Sequence, residues 1–181
     1  MACQSKNNSK LGFINVQISS LTGRPHPVLT GILTTRDVQR SRVHITMLSG
    51  DYPCHSNLAY DQNQSPHCRL CLFVHPHKPP PEENMTHLLA ICRVTSDVRS
   101  PYTSNLLNTV SQFFPGNELL VHPNHKHLAQ FILDPTSLNL PMTIRVPPGH
   151  PAVLQLLDIS RSLCYATHKA RTGLLRTITA K

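Results

Sequence analysis

The sequence contains no tryptophan, only 5% aromatic residues, and no apolar run near the length of a bilayer. A membrane-spanning helix needs about 20 predominantly apolar residues, so no membrane insertion is expected. The scarcity of rings argues against a base-stacking platform for single strands. Glycine is also sparse, 7 residues against 16 prolines in 181. Neither a phosphate-cradling Gly-rich loop nor a strand-to-helix nucleophile elbow occurs. The 9 acidic residues are scattered and form no carboxylate pair suited to metal-assisted hydrolysis. The opening decapeptide MACQSKNNSK lacks the apolar core of a signal peptide. Reduced thiols and a chain that is not secreted are therefore expected, with the sequons at Asn7 and Asn84 unused.

Positive charge is what the sequence has in excess. There are 17 Lys plus Arg against 9 Asp plus Glu, a formal charge of +8, and 12 histidines can add to it as pH falls. Such a chain favours acidic partners, and nucleic acid can meet a basic surface. The charges are nonetheless spread singly, with no run of five, which also fits a diffusely basic surface.

The length suits one domain with a real core. The clearest local signal is Pro141 to Leu157, PMTIRVPPGHPAVLQLL. Met142, Ile144 and Val146 alternate with Thr143 and Arg145, Pro147-Pro148-Gly149 forces a turn, and Ala152 to Leu157 reads as a returning core strand. Further strands are expected at Phe13 to Ile18, Val28 to Leu33, Val43 to Met47, Leu70 to Val74, Thr86 to Val94, Glu118 to Val121 and Leu128 to Leu133. One helix is expected where Leu106, Leu107, Val110, Phe113 and Phe114 recur at three-and-four spacing, capped by Thr103 or Ser104 and ended by Pro115-Gly116. The fold class expected is mainly β, a barrel or sandwich with one short helix. The expected organisation is a flexible 1–10, a single domain over 11–168 and a basic tail over 169–181.

The densest group of metal-ligand residue types is His67-Cys68-Arg69-Leu70-Cys71 followed by His75 and His77, with Cys54 and His55 upstream and Cys92 downstream. A Cys-x-x-Cys pair suits tetrahedral zinc, because both thiolates can bind from one tight turn. The candidate ligands are Cys68, Cys71, His75 and His77. Ordinary reduced cysteines beside exposed histidines fit the same residues, and redox exchange between Cys68 and Cys71 is a third reading. Zinc apart, no cofactor is expected. His122, His125 and His127 share a polar turn that could bind metal or simply be solvated.

Two stretches resemble pieces of one family. Val28 to Gly50, VLTGILTTRDVQRSRVHITMLSG, resembles the dUTPase segment in which a β-hairpin presents nucleoside-binding residues. Ile144 to Leu163, IRVPPGHPAVLQLLDISRSL, resembles the segment where Pro-Pro-Gly leads to a serine-containing phosphate motif. Their order here is similar to that in herpesvirus dUTPases and their non-enzymatic, dUTPase-related relatives. The hairpin lacks the family's tyrosine, Ser160-Arg161-Ser162-Leu163 only loosely echoes the phosphate motif, and the metal-binding aspartate motif and Gly-rich arm are missing. The resemblance thus implies a retained β fold without dUTP turnover. It implies a viral tegument or regulatory protein that binds host proteins and counters host defence, located in host cytoplasm, nucleus or virion tegument. The alternative is a small zinc-containing regulatory protein that binds nucleic acid. Candidate contact surfaces are loops 51–67 and 75–85 and the tail from Lys169, with His55, Lys78, Lys169 and Arg171 as candidate binding residues.

Overall fold

A computed structural model describes residues 35–62, 65–115, 124–137 and 150–180. These residues are mainly helical. In chain order they form α1 (Thr35–Leu48), α2 (His55–Gln62), α3 (Arg69–Val74), a π-helical turn (His87–Ile91), a 3₁₀ turn (Arg93–Thr95), α4 (Ser96–Phe113), α5 (His125–Leu133), a second 3₁₀ turn (Pro135–Ser137) and α6 (Pro151–Thr179). No strand is present among the described residues, and the only pairing of extended chain there is the isolated antiparallel bridge between His67 and Glu82. The expected β barrel or sandwich is therefore overturned.

The organising element is α6, whose 29 residues span about 44 Å. It begins where Pro151 occupies the first helical turn and the His150 ring nitrogen Nδ1 accepts the Ala152 N–H at 3.2 Å. Proline suits that position because its missing N–H would have no intrahelical partner there. Ala152, Val153, Leu156, Leu157, Ile159, Leu163 and Cys164 form a buried stripe at three-and-four spacing. Onto it pack α1 and α4, and the core is completed by Met47, Leu106, Val110, Phe131, Ile132 and Leu133. Asn124 starts α5 by accepting the Lys126 N–H at 2.8 Å.

The periodicity of 2 misread these segments for identifiable reasons. In α1 the buried positions are Ser41, His44, Met47 and Leu48, a helical stripe that two polar residues conceal. The alternation of Val43, Ile45 and Met47 was incidental. Residues 152–157 are apolar enough for either state, and short apolar runs do not distinguish a buried strand from a buried helix. Leu70–Val74, residues 86–91 and Leu128–Leu133 are likewise helical rather than extended, and residues 93 and 94 belong to the first 3₁₀ turn. The helix expected near residue 106 is present, but it starts at Ser96 and carries Pro101 within it. Residues 169–179 are the last turns of α6. The expected strands over 13–18, 28–33, 118–121 and 142–146, and the Pro-Pro-Gly turn, lie outside the described residues.

A smaller core of Cys68, Leu70, Cys71 and Cys92 sits at the far end of α6, packed against Val94, Leu175 and Ile178. It forms a separate cysteine-rich layer.

Candidate metal centre

Cys68 lies immediately before α3 and Cys71 in its first turn, so one short helical turn places both thiols on one side. The chain then leaves through His75 to Pro81 and returns beside its starting point. Cys68 N–H donates to Pro81 O and Glu83 N–H to Pro66 O, both at 2.9 Å, flanking the His67–Glu82 bridge. Asn84 Oδ1 accepts the His87 N–H at 2.9 Å and caps the following turn. That turn is wider than an α-helix, closed by Cys92 N–H to His87 O at 2.6 Å. The wide turn brings residues five apart onto one side, where an extended chain would point them to opposite faces.

The result is a buried set of four, Cys68, Cys71, His87 and Cys92, whose ligand atoms all lie within 4.8 Å of one another. Cys71 Sγ is 3.5 Å from His87 Nε2 and 3.8 Å from Cys92 Sγ. A tetrahedron built on Zn–S bonds of about 2.3 Å and Zn–N bonds of about 2.0 Å has edges of roughly 3.5–3.8 Å. The donors therefore stand at a spacing that fits one zinc ion, and the separation is far beyond a disulfide bond of about 2.05 Å. All five described cysteines are free thiols.

The electrostatics favour the loss of one proton from this group, that of Cys92. Hydrogen bonding from Cys68, with His87 close by, holds Cys92 down to about 3 despite burial. The same pairing, with burial, pushes Cys68 far up, and burial with the Cys92 charge raises Cys71 to about 11. Three sulfurs crowded together cannot all ionise unless a cation joins them. Arg99 supplies a fixed charge beside the group. It is buried, donates to Leu88 O at 2.7 Å and Cys92 O at 2.8 Å, and thereby holds both ends of the wide turn. Burial lowers its pKa, opposed by Cys92 and Cys71.

Glu83 ties this layer to the main core. Its fully buried Oε1 accepts from Arg171 Nε at 3.1 Å and Nη2 at 2.5 Å, and from the His55 N–H at 3.1 Å. Arg171 also donates to Pro53 O at 3.0 Å and lies over the Tyr52 ring, 5.6 Å from its centroid. Tyr52 Oη is in turn 3.0 Å from His168 Nδ1, and burial pushes the phenol up to about 12. His55 Nδ1 approaches Glu83 Oε1 at 3.2 Å without hydrogen-bond geometry. Since burial lowers the His55 pKa, we read this contact as one to a neutral ring rather than an ion pair.

Of the ligands expected from sequence, Cys68 and Cys71 belong to the group. His75 and His77 do not, being exposed beyond the end of α3. His87 was missed and Cys92 stood only as a neighbour, because the chain read as a strand would not converge them. The spacing Cys-x₂-Cys followed by His-x₄-Cys was the available signal. Among the candidate binding residues, Lys78 and Lys169 are exposed, whereas His55 and Arg171 are buried in the Glu83 network. His125 and His127 lie exposed on α5, and His122 is outside the described residues. Among the described residues no helix is long and apolar enough to cross a membrane.

No family model, curated protein or solved structure matches this chain.

Proposed function

We propose that the chain is a non-enzymatic regulatory binding protein whose Cys68, Cys71, His87 and Cys92 hold one structural zinc ion. The observation that carries this reading is the convergence of four buried donor atoms within 4.8 Å from two separated turns. Three thiolates and one imidazole are a ligand set of closed structural zinc sites, with no position left for water or substrate. The centre organises a surface rather than turning over a ligand, which agrees with the absence of a nucleophile framework in the sequence. Zinc fixes the loop from Cys71 to His87 and anchors it on α6, and that loop presents the exposed residues available to a partner. With bound zinc the four ligands carry a net charge of −1, which Arg99 offsets within the layer.

Metal analysis of the purified chain tests this. One zinc per chain is expected, lost in Cys92→Ser and His87→Ala and retained in His75→Ala and His77→Ala. A folded chain free of metal, or metal lost in the His75 or His77 variant instead, contradicts the reading.

A further inference from the structure

Over the cysteine layer lies a cleft of about 220 Å³ lined by Cys71, His75, Lys78, Pro79 to Pro81, His87, Ile91 and Arg93. Two of the four metal-ligand residues thus form part of its lining. Its wall is a rigid triple proline, and Ile91, 43% exposed, adds an apolar surface. Among the described residues no acidic side chain lines it, although Glu82 follows Pro81 in the chain. Lys78 and Arg93 are cationic, which makes the cleft rim complementary to negative charge.

Apolar surface continues beyond the rim. α3 is apolar on nearly every face, yet only Leu70 and Cys71 point inward. Leu72, Phe73 and Val74, the last residues of α3 before His75, are 44%, 53% and 50% exposed. An apolar helix side left in water next to a charged rim is the surface expected of a docking site.

We propose that this cleft is a docking site for an acidic peptide segment of a partner protein, one apolar side chain seating against Ile91 and the proline wall and flanking carboxylates meeting Lys78 and Arg93. The inference rests on the proposed metal centre, which fixes the ligand-bearing side of the cleft. A peptide fits better than a nucleic acid strand because the few cations sit around an apolar recess instead of along a track of phosphates. The prolines and the short closed loop are already ordered, so binding costs little conformational freedom.

Fluorescence anisotropy on the full metal-loaded chain tests the assignment, using a labelled peptide of alternating Glu and Leu, its Lys and Leu counterpart, and labelled oligo-dT. The Glu and Leu probe is expected to bind best. Lys78→Glu with Arg93→Glu, and separately Ile91→Asp, should each raise its Kd about tenfold or more. These residues are exposed, so zinc content should stay unchanged, and it is measured on the same samples. Equal binding of the two peptides, tighter binding of oligo-dT, or indifference to the charge reversal overturns the assignment. Absence of peptide binding by the unmodified, zinc-loaded chain counts against the cleft alone. A chain without zinc counts against the metal centre, and the same titration on that chain still decides the cleft.

Discussion

The two cores formed by the described residues are built on different principles. Along the first half of α6, Leu156, Leu157, Leu163, Met47, Leu106 and Phe131 bury large apolar side chains drawn from several helices. At its far end the second core has four buried residues, three of them cysteines, with Val94, Leu175 and Ile178 against them. Apolar burial can hold the first together. The second is too small to repay the ordering of the loop from Cys71 to His87, and a short segment of that kind ordinarily needs a metal or cross-link. Loss of the metal should therefore release the second region and leave the first.

Chelation gives the largest expected effect. Structural zinc contributes on the order of 10 kcal/mol to folding in small metal-dependent units. Removing it should abolish hydrogen-exchange protection over residues 66–95 and the last turns of α6. Protection in α1, α4 and the first half of α6 should survive. Uniform loss across both regions would erase the distinction.

The join between the regions comes next. Glu83→Ala leaves Arg171 buried without its carboxylate, so chemical denaturation should show a loss of roughly 3–5 kcal/mol, characteristic of breaking one side of a buried pair. Leu156→Ala, confined to the main core, should cost about 2–5 kcal/mol by the same measurement. Zinc content per folded chain should stay the same in that variant, since it lies far from the cysteine layer.

A pH effect sharpens the comparison further. His44 is fully buried in α1, and its Nε2–H donates to Leu133 O at 2.8 Å. Burial lowers its pKa from 6.5 to about 4. The unfolded chain therefore binds the proton first. The resulting contribution is complete above pH 6.5 and declines as pH falls towards 4, by about 3 kcal/mol in all. His44→Leu should flatten that part of the Tm against pH profile compared with the unmodified chain. The smallest effect is expected for Lys169→Ala, whose ammonium lies 5.9 Å from the Tyr165 ring centroid on an exposed turn. Its change in stability should remain within about 0.5 kcal/mol in the same denaturation assay.

How much of this was legible in the sequence differs between the two regions as well. The Cys68 and Cys71 pair announced itself by spacing, because its geometry is local. His87 and Cys92 depend on a wide helical turn, and no short-range pattern marks such a turn. Choosing His75 and His77 replaced convergence in space with nearness in sequence. In the main core, His44, Ser41, Ser160, Arg161 and Thr167 are buried polar residues that interrupt the helical stripes of α1 and α6. Incidental alternation at Val43, Ile45 and Met47 then outweighed the weaker period. Pro151 after His150 was read as the far side of a turn, although a proline at that place also opens helices. The β fold implied by the dUTPase resemblance fails on these helices. Residues 35–48 are α1, and residues 151–163 belong to α6.

X-ray absorption at the zinc edge is the most direct test of the central claim. The account predicts one zinc per chain with three sulfur neighbours at about 2.3 Å and one nitrogen at about 2.0 Å. A shell of oxygen ligands, or a folded chain with no bound zinc, would contradict it.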